Sequence, residues 1–169
     1  MNLFSSKTVV ISVITGVSVL FLFFGIFFLT KVSSASPSTA EPTIKESLSI
    51  GDIPMKNGIR EISFRFSNTT EVPIRITSLS TTCMCTKAKL VIDGKESFLA
   101  GMPGGHGGIG PINPRMVLQP GQTANVLALY DPNAHGPNAT GPITRSVIVE
   151  TDSLKIPKLE FTFSGVVVK

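Results

Sequence analysis

At 169 residues, the chain has room for one domain of ordinary size once its apolar N-terminal segment is set aside. Its 15 glycines and 12 prolines, many of them between short alternating segments, favour short strands and turns over long helices. The formal net charge of +4 is spread thinly, with basic and acidic residues interleaved and no basic run, which argues against nucleic acid as a partner.

The N-terminal segment is predicted to be a membrane anchor. It is uncharged over the 22 residues Val9–Thr30 and would span about 33 Å as a helix, enough to cross the hydrocarbon core of a bilayer. A cleaved signal peptide is the alternative, since Ser33 and Ala35 suit a cleavage site, but its apolar core is usually only about 7–15 residues long. We therefore expect residues 1–31 to be a retained transmembrane helix. Because Lys7 precedes the span, the rest of the chain is expected outside the cytoplasm, in the periplasm or at the cell surface.

Strand patterns follow a short linker. Residues 32–46 are rich in Ser, Thr and Pro and are predicted to be a flexible tether, and residues 47–169 are predicted to form the domain. In Arg60–Ser67 and Lys158–Val168, phenylalanines alternate with polar residues, which is typical of half-buried strands. This alternation places four rings in the core: Phe64, Phe66, Phe161 and Phe163. Further strands are predicted at 74–77, 81–92, 116–118, 122–130 and 143–151.

About seven short strands separated by turns predict an all-β fold, an immunoglobulin-like β-sandwich preceded by one N-terminal transmembrane helix. The glycine-rich stretch Gly101–Gly110 interrupts the strand pattern and is expected to be an exposed loop.

Several short motifs occur in a characteristic order: Ile62-Ser-Phe-Arg-Phe-Ser-Asn68, Pro73-Ile-Arg-Ile76, Thr82-Cys-Met-Cys-Thr86, Leu118-Gln-Pro-Gly121 and Tyr130-Asp-Pro132. This order resembles a bacterial family of hydin-like immunoglobulin domains, known as domain of unknown function fifteen seventy-three. The resemblance covers about residues 48–168, and the Cys-x-Cys-Thr block followed by Pro-Gly is its most specific part. It implies an immunoglobulin-like fold and an exported location. It implies little about activity, because the family is itself uncharacterised.

The two cysteines, Cys83 and Cys85, are two residues apart in the predicted strand 81–92. On a strand both sulfurs would project from one face, with Cα atoms about 6.5–7 Å apart, at the edge of disulfide geometry. A disulfide would therefore require a bent backbone, whereas two parallel thiols suit a soft ion such as Cu(I) or Zn²⁺. Met84 is expected to point the opposite way and to fill the core.

The two histidines, His106 and His135, lie in loops rich in Gly and Pro. If these loops fold over the strand, the imidazoles complete a metal site with Cys83 and Cys85, and a nearby Met102 would favour copper over zinc. The sequence spacing matches no compact zinc finger, so this prediction rests on residue types alone. The alternative is that the cysteines pack as small core residues and the histidines are exposed in turns.

No catalytic motif is found in the sequence: it has no Gly-x-Ser-x-Gly elbow, no phosphate-binding loop and no His-Glu-x-x-His, and no enzymatic activity is expected. The leading interpretation is a tethered binding or structural module that contacts another envelope protein through a sheet face or edge. The alternative is a copper- or zinc-handling protein. Thiol–disulfide exchange is a third interpretation, less favoured because Cys-x-x-Cys at a helix end is the better-attested arrangement.

Overall fold

The computed structural model describes residues 43–104 and 109–169. The predicted transmembrane helix, most of the predicted linker and His106 lie outside these ranges. Within them, no helix is long and apolar enough to cross a membrane. The described residues form two β-sheets, with one turn of 3₁₀ helix at Met55–Asn57.

Nine strands are present in the described ranges: β1 (Thr43–Pro54), β2 (Arg60–Ser67), β3 (Ile74–Thr81), β4 (Thr86–Ile92), β5 (Lys95–Glu96), β6 (Met116–Leu118), β7 (Thr123–Tyr130), β8 (Gly141–Thr151) and β9 (Lys158–Val168). One sheet has the order β1-β9-β8-β3-β6 and the other β2-β7-β4-β5. β1 pairs in parallel with β9, and the remaining strand pairs are antiparallel. The all-β prediction is confirmed, and β1 and the two-residue β5 are the strands that are absent from the predicted set.

Aromatic rings from the two sheets meet in the core. Phe64 of β2 and Phe161 of β9 have ring centroids 5.4 Å apart, and Phe163 meets the ring of Tyr130 edge-on at 5.7 Å. Phe66 is only partly buried and lies 5.9 Å from Phe161. The inward faces of β2 and β9 are thus those that the alternation of Phe with polar residues predicted, and the two sheets pack as a sandwich.

The structure departs from the sequence-based expectation at two places. β1 begins at Thr43, so residues 43–46, which their composition assigned to the linker, are part of the domain. The single strand predicted at 81–92 is broken, because β3 ends and β4 begins on either side of a bend at residues 82–85. Met84 lies in this bend and is 40% exposed, so its predicted role in the core is wrong.

Truncation of Phe163 to Ala is expected to lower the free energy of unfolding by about 3–5 kcal/mol, because the ring is fully buried and its removal leaves a cavity. Phe98→Ala is the matched control: that ring is 88% exposed, and its loss is expected to change stability by less than about 0.5 kcal/mol. Chemical denaturation of the purified variants measures both. Equal stabilities of the two variants would contradict the assigned faces.

Candidate metal and thiol site

The cysteines lie in the tight bend between β3 and β4. The buried Thr81 hydroxyl shares its one proton between the carbonyls of Cys83 (3.1 Å) and Thr86 (3.0 Å), and the Thr86 amide donates to the Cys83 carbonyl (3.1 Å). The bend brings the Cα atoms of Cys83 and Cys85 to 5.3 Å, inside the disulfide range, and the two sulfurs are bonded to each other. The expectation that this pair sits on an extended strand is therefore wrong. The physical reason is that side-chain hydrogen bonds to the main chain compete with the strand ladder here.

His135 reaches the bend through the turn that follows β7. The Asp131 amide donates to the Cys85 carbonyl (2.8 Å), which ties the start of the turn to the bend. The turn then reverses at Gly136, which has a φ of 92° that glycine adopts without strain. As a result, His135 Nε2 lies 3.6 Å from Cys83 Sγ.

Arg145 of β8 contacts the other sulfur. It is in register with Phe163 on β9, so its side chain starts on the inner face of the sheet. Its Nε donates to Cys85 Sγ at 3.2 Å and its Nη1 to the Thr144 carbonyl at 2.7 Å. None of the ion pairs among the described residues includes Arg145, so a sulfur is the side-chain partner of this half-buried guanidinium.

The alternation of residues in β8 is a sequence signal for Arg145. In β8 the period-two alternation places Arg145 in phase with Ile143, Val147 and Val149, and the last two are fully buried. A charged residue at a core-facing position needs a partner, because burial of an unpaired charge is costly. Its partner could not be read from the sequence, because Cys85 is 60 residues away along the chain.

Three potential ligand atoms converge at the bend: the sulfurs of Cys83 and Cys85 and a ring nitrogen of His135 lie within 4.8 Å of one another. A thiolate and an imidazole on one tetrahedral zinc ion are about 3.5 Å apart, close to the 3.6 Å between Cys83 Sγ and His135 Nε2. Two thiolates on one ion are about 3.8 Å apart, so binding requires reduction of the disulfide. Across the described residues, no other group of three His, Cys, Asp or Glu has this spacing.

His106 lies outside the described residues, but the base of its loop is described. The Gly101 amide donates to the Gly110 carbonyl (2.8 Å), and the Gly101 carbonyl accepts from the Thr81 amide (3.2 Å). The loop that carries His106 therefore starts beside the last residue of β3, two residues before Cys83. His106 stays a predicted ligand, while the other three predicted ligands are brought together by described contacts.

Tyr130 lies at the end of β7, next to the turn that carries His135. Burial raises the pKa of its phenol above the ordinary value of 10.0, the Arg145 guanidinium lowers it, and the Asp131 carboxylate raises it, with burial the largest effect. The folded protein therefore keeps the phenol protonated to a higher pH than the unfolded chain does.

The free energy of unfolding is expected to be unaffected by Tyr130 below pH 10 and to fall as the pH rises above it, because the unfolded chain then loses the phenolic proton first. The chain has one Tyr and no Trp, so phenolate absorbance reports this group alone. Tyr130→Phe keeps the contact with Phe163 and should remove this part of the alkaline destabilisation. Identical alkaline unfolding profiles of the two proteins would contradict the raised pKa.

Comparison with known proteins supports a family resemblance. A family model described as "Protein of unknown function (DUF1573)" matches residues 43–101, a range that contains β1 to β5 and the cysteine bend. The match supports this family and not the narrower hydin-like grouping. No curated protein matches the chain.

The chain is similar to solved structures. A protein of unknown function from Porphyromonas gingivalis W83 has 14% identity and a TM-score of 0.51, with 79% of this chain covered. This chain spans 51% of that protein, about half its length. The N-terminal domain of PorA has 10% identity and a TM-score of 0.43, with 72% of this chain and 87% of that chain covered. At 14% identity, the likeness to the Porphyromonas gingivalis protein shows the fold alone.

Proposed function

We propose that this protein is a membrane-tethered, immunoglobulin-like binding module outside the cytoplasm, and that it binds one soft metal ion, copper(I) in preference to zinc. The observation that carries the proposal is the convergence of Cys83, Cys85 and His135, with their ligand atoms within 4.8 Å. Thiolates and an imidazole are ligands typical of copper and zinc and are poor ligands for magnesium or calcium. No role as an enzyme is proposed, since nothing in the sequence or the site provides a catalytic arrangement.

Charge balance favours the monovalent ion. Two thiolates carry a charge of about −2, and the Arg145 guanidinium beside Cys85 contributes about +1. Copper(I) brings the sum to zero in a half-buried place, whereas Zn²⁺ leaves a net positive charge there. Three ligands also leave zinc one short of its usual four. A fourth ligand from His106 would complete the usual coordination of zinc and would favour zinc over copper(I). Whether His106 binds therefore decides which metal is preferred.

The reduced protein is expected to bind one equivalent of copper(I), measured by competition with a chromogenic copper(I) chelator. His135→Ala should weaken binding at least about 10-fold, since even the loss of a residue behind a ligand typically costs about 10–100-fold. Cys85→Ser should weaken it more, because it removes a thiolate. His106→Ala is the matched comparison for His135→Ala, and only a fourth ligand would make it affect copper or zinc affinity. Unchanged affinity in His135→Ala and Cys85→Ser would contradict the site.

The membrane tether is supported by the uncharged span at residues 9–30. The intact protein is expected to sediment with membranes, and the protein lacking residues 1–32 to remain in the supernatant, because the span is long enough to cross a bilayer. Subcellular fractionation with N-terminal sequencing measures this. Protein produced from the full-length sequence but found only in the soluble fraction, with its N-terminus near Ser36, would instead indicate a cleaved signal peptide.

A second candidate role, binding a strand of another envelope protein, is favoured by the exposed apolar side chains of β1 at the edge of the sandwich. Ile44 and Leu48 are in register with Leu159 and Phe163 of β9, so they point to the inner side, yet they are 48% and 42% exposed. The facing sheet ends at β2, which leaves this part of β1 uncovered by the described strands. A strand of another envelope protein, added alongside β2, would cover these side chains. This role is compatible with metal binding, because β1 is not one of the two strands, β3 and β4, that the cysteine bend joins.

A further inference from the structure

We propose that Cys83 and Cys85 form a redox-active disulfide that exchanges with thiols, with Cys83 as the sulfur that is attacked and Cys85 as the leaving group. This activity does not depend on metal binding. Its consequence, that exchange turns a closed disulfide into an open copper site, rests on the proposed function. The exchange is stoichiometric, one disulfide per chain.

The two sulfurs differ in access. Cys85 is 2% exposed and belongs to the hydrophobic core, whereas Cys83 is partly buried and packs at the margin of the core. Its neighbours in the bend, Thr82 and Met84, are exposed. An external thiolate therefore reaches the Sγ of Cys83 and not that of Cys85, and access is one of the factors that determine which sulfur is attacked.

The two sulfurs also differ in the groups that can stabilise a negative charge. Cys83 Sγ accepts from the Cys85 amide (3.4 Å) and lies 3.6 Å from His135 Nε2, whereas Cys85 Sγ contacts a permanent cation. Arg145 Nε donates to Cys85 Sγ at 3.2 Å, and this guanidinium has no ion pair among the described residues. When the S–S bond breaks, the electron pair that remains on Cys85 gains a charge-assisted hydrogen bond that the neutral disulfide lacks. The fixed cation therefore stabilises the leaving thiolate at Cys85, and with it the reduced form.

The reaction balances with two external thiols. The first, as a thiolate, attacks Cys83 Sγ, which forms a mixed disulfide at Cys83 and releases Cys85 as a thiolate beside Arg145. The second thiolate attacks the external sulfur of the mixed disulfide and releases Cys83. The products are one external disulfide and the reduced cysteine pair, so a dithiol or two monothiols supply both electrons.

The simpler alternative is that the disulfide has a purely structural role. The position of the two cysteines in the chain argues against this alternative. The stabilisation from a disulfide grows with the length of the loop it closes. Cys83 and Cys85 are separated by two positions, so the loop is minimal. The bend is already closed by the Thr81 hydroxyl and the Thr86 amide. A disulfide here therefore adds little to the fold.

The first test uses the full chain in detergent and needs no cysteine variant. Reduction of the disulfide by dithiothreitol is followed by quenched alkylation and mass spectrometry. Arg145→Gln is expected to slow reduction about 10-fold or more, because a hydrogen bond to a charged group is lost, and to shift the equilibrium with glutathione towards the disulfide. Arg65→Gln, an exposed arginine on β2, is the matched control and should behave as the wild type. Equal rates in all three proteins would overturn the role of Arg145.

The second test separates the two sulfurs. Cys85→Ser leaves Cys83 alone and is expected to form a mixed disulfide with oxidised glutathione, whereas Cys83→Ser should leave Cys85 at least about 10-fold less reactive while folded, since it is buried. Thermal melting confirms that both variants are folded. Equal reactivity, or faster reaction of Cys83→Ser, would overturn the assignment. His135→Ala should bind copper(I) more weakly but keep exchange, so a failure of metal binding and a failure of exchange are distinguishable.

Discussion

The site depends on the bend between β3 and β4, and the buried hydroxyl of Thr81 stabilises this bend. The hydroxyl shares its one proton between the carbonyls of Cys83 and Thr86, where one strand ends and the next begins, and it thereby favours a bend in a Cys-x-Cys segment that could continue as a strand. On a continuous strand the cysteine Cα atoms would be about 6.5–7 Å apart. In the bend they are 5.3 Å apart, the sulfurs are joined, and the Cys85 carbonyl is free to accept from the Asp131 amide. This hydrogen bond from Asp131 fixes the start of the turn that contains His135, so His135 lies beside the sulfurs.

The sandwich supplies the remaining geometry because its strands are fixed by packing. Thr82 and Ser146 exchange hydrogen bonds between the bend and β8: the Thr82 amide donates to the Ser146 carbonyl (3.0 Å), and the Ser146 amide donates to the Thr82 hydroxyl (2.9 Å). These bonds hold β8 against the bend and place Arg145, one residue earlier, beside Cys85. One short segment thus brings together two sulfurs, an imidazole and a guanidinium that are dispersed over more than sixty residues of sequence. The structure contains these sulfurs as a disulfide, and the two proposals add a dithiol and a metal complex.

The parts of the fold that sequence predicted are those with strong local patterns. β2 and β9 have the predicted bounds, because phenylalanines that alternate with polar residues are a strong indication of a strand with one face in the core. The sequence pattern does not predict the bend, because Thr, Cys and Met are all compatible with a strand. The hydrogen bonds that interrupt the strand come from the Thr81 side chain, and its position relative to the carbonyls cannot be read from the local sequence. The cysteines and His135 were identified from residue type, whereas their proximity depends on the Asp131 contact. Arg145 had a signal in its phase within β8, but its sulfur partner is a long-range contact.

X-ray absorption at the copper edge can test whether the reduced bend binds copper(I) through two sulfurs and one imidazole. The full chain would be reduced in detergent, loaded with one equivalent of copper(I) and freed of excess metal. The expected first shell has two sulfur scatterers and one nitrogen scatterer, with the outer-shell scattering typical of imidazole. Loss of that imidazole signal in His135→Ala would identify the residue that supplies it. A first shell of oxygen and nitrogen alone, or of a single sulfur, would contradict the account.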